Sequence, residues 1–199
     1  VERIQRACSA IHAGHMAAMS ALRAGMTELE LAAAVENAQR LAGHEGCFFM
    51  RVSDFVMSRG PLASGPNLRH TSGTLFTLSG AGLSPAIPTS ASRRILEQGD
   101  MVLVDIPTCI EGYHGDQSRT YAVRHASQRA RDLFQGLRRV ADGLVSTLRP
   151  GLTCGEVYSM ATREAEEMGV GEAFMSFHSG ARGHFVGHGI GLELNEPPL

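Results

Sequence analysis

Two aspartates and one histidine are the residues of this chain whose types and spacing could do metal chemistry. Asp105 and Asp116 stand eleven residues apart, and His188 lies among glycines in Gly187-His188-Gly189-Ile190-Gly191. Carboxylate oxygens and an imidazole nitrogen together suit a catalytic divalent metal ion. Because an unpaired charge at the end of a hydrophobic strand is costly, a metal site is favoured here over two solvated acids.

Two strand-like runs must position the aspartates. An apolar run precedes Asp105 and a second run follows Asp116, with Glu111-Gly112 as a turn signal between them. A turn centred between Ile110 and Glu111 predicts that the aspartates face each other directly, with Cβ atoms about 4.5–5.5 Å apart. A turn shifted to Gly112 predicts diagonal neighbours, which are still close enough to share a metal ion.

The bulk composition excludes several classes of function. The 199 residues are 43% hydrophobic and carry a net charge of −2, which suits one globular domain and offers no basic cluster for nucleic acid. No apolar run approaches the ~20 residues of a membrane span, and no signal peptide is expected. All 18 basic residues are arginine, so phosphate-loop and Schiff-base lysines are excluded.

The cysteines favour a cytoplasmic protein with reduced thiols. They lie far apart and lack the paired spacing of a metal site, and the alternative is that the four pair as disulfides. Their positions are Cys8, Cys47, Cys109 and Cys154.

An internal duplication organises the chain. Residues 22–27 reappear as residues 148–153, an offset of 126, and both copies lead into the Thr-x-x-Glu pattern of a capping box. The pattern predicts helices over 28–42 and 154–168, each followed by a glycine suited to a left-handed cap. Each is preceded by a further predicted helix, over 2–23 and 128–148.

The intervening runs predict an α+β domain, with helices beside a mostly antiparallel sheet. Residues 59–92 are interpreted as loops and short strands at the edge of a cleft. One catalytic-type domain spans residues 1–199, with halves at about 1–125 and 126–199. Predicted strands cover residues 47–56, 74–78, 101–106 and 117–123 in the first half, and 173–177 and 182–194 in the second.

Three motifs in this order resemble the signatures of the pita-bread metallopeptidases, a superfamily that includes methionine aminopeptidase, aminopeptidase P and prolidase. The motifs are residues 99–105, Asp116-Gln117-Ser118-Arg119-Thr120, and residues 187–193. The resemblance implies a pita-bread fold, with two pseudo-symmetric halves that each hold two helices and an antiparallel sheet. The second half is shorter than the duplication leads one to expect, so we predict that it is truncated.

The resemblance also implies roles for individual residues. Asp105, Asp116 and His188 are expected to bind two divalent ions, which could be Mn, Co, Fe or Zn, and Arg119 is expected to orient Asp116. His184 matches a histidine that the Xaa-Pro branch uses near its substrate, so we assign it a catalytic and substrate-binding role.

Two further residues are predicted to bind substrate. Asn195 stands where typical family members have a histidine, and His114 lies beside the hairpin turn; an alternative for His114 is that it only caps the hairpin. The family's other usual histidine has no equivalent in this chain.

Two glutamate ligands that the family carries after the Gly-His-Gly motif are also missing. We therefore expect a piece of a longer protein, with a further N-terminal part, partial or absent metal, and no activity of its own.

The hypothesis for the whole protein is a metal-dependent exopeptidase, with manganese as one candidate metal. It would hydrolyse the N-terminal peptide bond, in particular Xaa-Pro bonds, as aminopeptidase P or prolidase does. The alternative is a catalytically inactive or metal-independent pita-bread protein that binds peptides or protein partners. A peptide substrate is the expected partner, with no nucleic acid and no membrane, and a homodimer is left open.

Overall fold

The computed structural model describes residues 1–50, 59–70, 80–86, 90–177, 180 and 182–198. The chain divides into two compact units. Unit 1 comprises Val1–His125 and Gly189–Pro197, and unit 2 comprises Ala126–His188 and Pro198–Leu199. The prediction of a single catalytic-type domain with two halves stays a prediction.

Four helices form where the sequence predicts them, and every observed end lies within two residues of its predicted position. They are α1 (Glu2–Ala21), α2 (Glu28–Leu41), α3 (Gln128–Thr147) and α4 (Cys154–Glu167). The duplication is visible in their lengths, because α1 and α3 each have 20 residues and α2 and α4 each have 14.

Local hydrogen bonds fix the start of α2 and the start of α4. The Glu30 amide donates to Thr27 Oγ1 at 3.1 Å, and Glu30 Oε2 accepts from the Thr27 amide at 2.6 Å. Thr153 and Glu156 form the same capping box, so both predicted boxes are confirmed. After each helix a glycine takes a positive φ, 103° at Gly43 and 71° at Gly169, as a left-handed cap requires.

Unit 1 contains a three-stranded antiparallel sheet in the order β1-β2-β3. The short strand β1 (Leu62–Ser64) leads into a 3₁₀ helix at Gly65–Arg69 and pairs with β2 (Met101–Ile110). Strand β2 then pairs along its full length with β3 (Tyr113–Ala122). These last two strands are longer than the predicted 101–106 and 117–123, since the pairing continues to a tight turn.

The core of unit 1 lies between the sheet and the helices α1 and α2. Alternate residues of β2 point into it, and Val102, Val104 and Ile106 are each at most 2% exposed. Ile11 of α1 and Leu31 of α2 pack in the same cluster. Burying a side chain of this size stabilises the fold by about 1.5–3 kcal/mol, so this cluster holds β2 firmly against the helix pair.

Unit 2 has its own apolar cluster between α3 and α4. Gly136 of α3 is required by close packing, because a Cβ there would lie 2.5 Å from Val170 Cγ1. No helix among the described residues has the length and apolar composition that a membrane crossing needs. The buried members of the cluster are Val140, Ala161, Ala165 and Val170.

The strands predicted for the second half are wrong. Residues 171–175 form turns after α4, and the Phe174 amide donates to Val170 O at 2.9 Å. Residues 182–194 contain isolated bridges in place of a strand, consistent with the cost of glycine in a strand interior. Of the first-half predictions, residues 47–50 form no strand, and residues 51–56 and 74–78 lie outside the described part of the chain.

Candidate active site

The β2–β3 hairpin sets the relation between Asp105 and Asp116. Asp105 pairs with Ser118, and Asp116 pairs with Pro107. The prediction that the two aspartates face each other directly is therefore wrong, and the diagonal arrangement is the observed one. Diagonal neighbours lie on the same face of the sheet, with Cβ atoms less than about 8 Å apart. Both carboxylates therefore still leave the sheet on one side.

The conformation of the turn explains the register. Strand β2 ends at Ile110 and β3 begins at Tyr113, so Glu111 and Gly112 alone form the loop. Both have positive φ, 50° and 74°, as in a type I′ turn. Its centre lies one residue later than first predicted, because Glu111 adopts a left-handed conformation that is uncommon for a non-glycine residue. The Glu111 carboxylate also forms an ion pair with Arg6, in which Nη2 lies 2.6 Å from Oε2.

Ser118 stands directly across from Asp105 and orients its carboxylate. Ser118 Oγ donates to Asp105 Oδ1 at 2.6 Å. Ser118 was not predicted from the sequence, and the observed register identifies it as the cross-strand partner. A short hydrogen bond to a charged acceptor is about twice as strong as one between neutral groups, so Ser118 restricts how Asp105 presents its oxygens.

The backbone beside Asp105 is held by the chain before β1. The Asp105 amide donates to Pro61 O at 2.9 Å. Gly60 lies so close that a Cβ on it would come within 1.7 Å of Asp105 O. Only glycine permits this approach, and the contact fixes the edge of β2 at the position of the carboxylate.

Arg119 lies three residues after Asp116 on β3. Side chains alternate between the faces of a strand, so Arg119 leaves β3 on the face opposite to Asp116. Its Nη1 donates to the Ser118 carbonyl oxygen at 2.7 Å. The predicted role in orienting Asp116 stays a prediction that this hydrogen bond does not support.

His184 and His188 both belong to unit 2. His184 is exposed, and His188 is half-buried with its ring edge-to-face against Phe185, the ring centroids 6.2 Å apart. In the described part of the chain, no three His, Cys, Asp or Glu side chains form a group that could hold a metal ion. The hairpin contributes two of the three predicted ligands, Asp105 and Asp116, and the third, His188, belongs to another part of the chain. The three-ligand set therefore stays a prediction.

His114 is completely buried near the start of β3. The Phe49 amide donates to its Nε2 at 2.9 Å, so this nitrogen carries no hydrogen. The other nitrogen, Nδ1, is therefore the donor of the neutral ring, and it lies 3.1 Å from Gly191 O. Protein groups occupy both ring nitrogens, and the expected substrate contact has no support in this geometry.

Asn195 lies in the segment Gly189–Pro197 of unit 1. The segment closes on itself where the Glu196 amide donates to Gly189 O at 3.0 Å, and it is tied to the rest of unit 1 where the Leu194 amide donates to Phe49 O at 2.8 Å. The amide oxygen of Asn195 is buried and accepts no hydrogen bond from any residue that the structure describes. Such an acceptor costs about 1–3 kcal/mol unless a ligand satisfies it.

The loop that precedes Phe49 contacts the turn end of the hairpin through buried polar groups. The Cys109 amide donates to His44 Nδ1 at 3.0 Å, and burial lowers the pKa of His44. Burial also raises the pKa of the Cys109 thiol to about 12, aided by its hydrogen bond to Glu45. Both groups are neutral near pH 7, and they serve packing and hydrogen bonding.

Glu28 is a buried acid that the sequence analysis did not single out. It is 0% exposed at the start of α2, and its two oxygens accept hydrogen bonds from Ser64, Asn67 and Ser92. Ser64 ends β1, so the carboxylate ties the strand beside Asp105 to helix α2. A glutamate in the first turn of a helix resembles an ordinary helix-dipole partner, so this role cannot be recognised from the sequence.

Comparison with known proteins covers the whole chain. The chain is 29% identical over 199 residues to the Xaa-Pro dipeptidase of Pyrococcus furiosus, and 28% identical over 199 residues to the probable dipeptidase PepE of Mycobacterium tuberculosis. These matches take in 100% of this chain but 47% and 44% of the relatives. The chain therefore spans about half the length of the curated relatives it matches.

Solved structures agree with these relatives. The prolidase from Pyrococcus furiosus superimposes with a TM-score of 0.75 at 27% identity, over 99% of this chain and 49% of that one. The X-Pro aminopeptidase from Thermotoga maritima gives 0.76 at 27% identity, over 99% and 46%. Methionine aminopeptidase from the same organism gives 0.71 at 20% identity, over 99% and 68%, and shows the fold alone.

These similarities confirm the pita-bread fold class, with α-helices beside an antiparallel sheet, and the resemblance to the Xaa-Pro branch. The sequence model of the metallopeptidase family M24 matches residues 2–199. This chain belongs to metallopeptidase family M24.

Proposed function

We propose that the whole protein is a metal-dependent exopeptidase that hydrolyses the N-terminal peptide bond of peptides, with a preference for Xaa-Pro bonds. The observation that carries the proposal is the pair Asp105 and Asp116 on one face of the β2–β3 hairpin, in a chain of family M24. The names of the Pyrococcus furiosus and Thermotoga maritima relatives support the Xaa-Pro preference. They do not favour the alternative of a non-catalytic binding protein.

The carboxylate pair fits divalent metal ions. Two hard oxygen donors leave the sheet on one side, and Ser118 holds one of them in a fixed orientation. Asp105 and Asp116 would hold the metal together with His188, and Mn, Co, Fe and Zn all accept this donor set. A divalent ion bound there would lower the pKa of a water molecule and polarise the substrate carbonyl.

The chain's own residues would bind the substrate and handle protons. The buried Asn195 Oδ1 is positioned to accept an N–H from a peptide, which would satisfy an otherwise unpaired acceptor. The imidazole of His184 is exposed, so it can reach solvent and a bound substrate. An asparagine in the place of a histidine can donate or accept a hydrogen bond but cannot carry a proton. We therefore assign proton transfer to His184.

The cysteines and the proposed substrate indicate the cellular setting and the partners of the protein. All four cysteines are free thiols, which favours a reducing compartment such as the cytoplasm. A peptide is the proposed partner, manganese is one candidate metal, and a homodimer is the oligomer to test.

The test is hydrolysis of Xaa-Pro dipeptides and longer Xaa-Pro peptides by the whole protein, with and without a chelator. We expect turnover that the chelator abolishes and that added Mn²⁺ or Co²⁺ restores. Asp105→Asn and Asp116→Asn should each remove activity, and Asp132→Asn, an exposed acid of α3, serves as the matched control. Turnover that persists in the chelator, or in both active-site variants, would contradict the proposal.

A further inference from the structure

The segment Gly189–Pro197 of unit 1 carries Asn195, so its position governs one residue of the proposed site. Within this segment the Gly191 amide donates to Glu193 O and the Glu196 amide donates to Gly189 O, both at 3.0 Å. These bonds make the segment a closed loop. The hydrogen bonds that anchor this loop to the rest of unit 1 therefore help to determine where Asn195 lies.

One anchor is Gly191. Its carbonyl oxygen accepts from the His114 amide at 2.8 Å and lies 3.1 Å from His114 Nδ1. A carbonyl oxygen has two lone pairs, so a single residue of β3 can satisfy this acceptor completely. His114 itself is fixed, because it is 0% exposed on a strand that is paired along its full length.

The second anchor is Leu194, and it also depends on His114. The Phe49 carbonyl oxygen accepts a hydrogen bond from the Leu194 amide at 2.8 Å, and the Phe49 amide donates to His114 Nε2 at 2.9 Å. The Phe49 ring packs edge-to-face on the imidazole, the centroids 5.8 Å apart. His114 thus reaches the segment directly at Gly191 and through Phe49 at Leu194, the neighbour of Asn195.

We propose that His114 is a positioning residue, which sets the place of the Gly189–Pro197 segment and, through it, the substrate contact of Asn195. The inference rests on the proposed function, because it takes Asn195 as a site residue. It replaces the substrate contact expected for His114 from the sequence, since both ring nitrogens are engaged by protein groups.

Three substitutions separate the two side-chain contacts of His114, and each keeps the backbone amide that donates to Gly191 O. In His114→Asn the amide nitrogen takes the place of Nδ1, which keeps the donor to Gly191 and loses the acceptor for Phe49. In His114→Gln the side-chain oxygen takes the place of Nε2 and keeps that acceptor, and His114→Ala loses both. The control is His15→Gln, which removes another buried imidazole that contacts β3 at Gln117 and Tyr121 but not the segment.

Hydrogen–deuterium exchange by mass spectrometry, on the metal-free whole protein, measures the anchoring. We expect the Leu194 and Phe49 amides to exchange about tenfold faster in His114→Ala, as the loss of about one net hydrogen bond implies. His114→Asn and His114→Gln should lie between His114→Ala and the native protein. His15→Gln should leave exchange in residues 189–197 unchanged.

Kinetics with an Xaa-Pro dipeptide provide the second readout. We expect KM to rise about tenfold in His114→Ala, and His114→Asn and His114→Gln each to recover part of the loss. Unchanged exchange in residues 189–197 of His114→Ala, together with a raised KM, would overturn the proposal in favour of a direct substrate contact. If the native protein lacked peptidase activity, the proposed function would fail, and the exchange data would still decide whether His114 anchors the segment.

Discussion

Replacement of Glu28 by glutamine perturbs the most buried charged group described in unit 1. Its carboxylate accepts from the Ser64 amide at 2.7 Å and the Ser64 hydroxyl at 2.6 Å. The Ser92 amide and hydroxyl donate at 2.9 and 2.7 Å, and Asn67 Nδ2 lies 3.1 Å from both oxygens. All five groups are donors, so the site suits two acceptor oxygens and nothing else.

The size of the effect follows from what an amide cannot do. Glutamine must turn its NH₂ group towards either Ser64 or Ser92, and the backbone N–H there loses its acceptor. A buried amide left without an acceptor costs about 1–3 kcal/mol, and the remaining bonds weaken from charged to neutral. We expect Glu28→Gln to lower the free energy of unfolding by about 2–4 kcal/mol, and Glu28→Ala to lower it further.

The matched control is Glu2→Gln. Glu2 is also an acid in the first turn of a helix, but it is exposed. It therefore carries only the helix-dipole contribution, about 0.3–1 kcal/mol. The difference between the two variants isolates the buried network.

Urea unfolding at pH 7, followed by circular dichroism, measures both changes. The midpoint of Glu28→Gln should fall while the slope with denaturant stays constant, as expected when stability changes and the folded state does not. A loss no greater than that of Glu2→Gln would refute the reasoning, because it would mean that the amide satisfies the same donors.

Three further predictions concern the hairpin and its neighbours. Ser118→Ala should weaken metal binding about 10–100-fold, measured by calorimetry, whereas Ser118→Thr keeps the hydroxyl and should stay near the native affinity. Burial lowers the pKa of His44, so the unfolded chain binds a proton more readily and stability is lost as the pH falls below the ordinary value of 6.5. His44→Asn keeps an acceptor for the Cys109 amide and should flatten this pH dependence of unfolding, while the exposed His12→Asn should retain it. With its pKa raised to about 12, Cys109 should resist a thiol reagent at pH 8 until the protein unfolds. The exposed thiols should react in the folded protein; they are Cys8, Cys47 and Cys154.

The helices could be predicted from the sequence because their signals are local. The Thr27 and Glu30 pair lies within one turn, and the same pair recurs at Thr153 and Glu156. A capping box needs no knowledge of the rest of the fold. The glycine after each helix is equally local, which is why the ends agree within two residues.

The register of the hairpin was harder to predict than the helices, because it depends on the backbone conformation of a single residue. Glu111 takes a φ of 50°, and nothing in the glutamate side chain favours that value. The faces of Asp105 and Asp116 were nevertheless correct, since moving the centre of the turn by one residue changes the pairing by two and keeps both side chains on one side. The second-half strands failed for a different reason: a strand needs a neighbour for its backbone groups, and no local pattern supplies one.

The residues that hold the site together could not be predicted, since their partners are distant in sequence. His114 contacts Phe49 and Gly191, 65 and 77 residues away. Glu28 contacts Ser64 and Ser92, 36 and 64 residues away. Chemistry-bearing residues can be recognised by type and motif, whereas the residues that position them are identified by the fold.

The two-residue loop at Glu111 and Gly112 also has a kinetic consequence. The entropy lost on closing a loop grows with its length, and ten paired residues on each side follow from this one short closure. Hairpins of this kind form in about 1–10 μs, well before contacts such as that of Glu28 with Ser92 can be made. Asp105 and Asp116 are thus brought together by a local closure of the chain, before the contacts between distant parts of unit 1 are made.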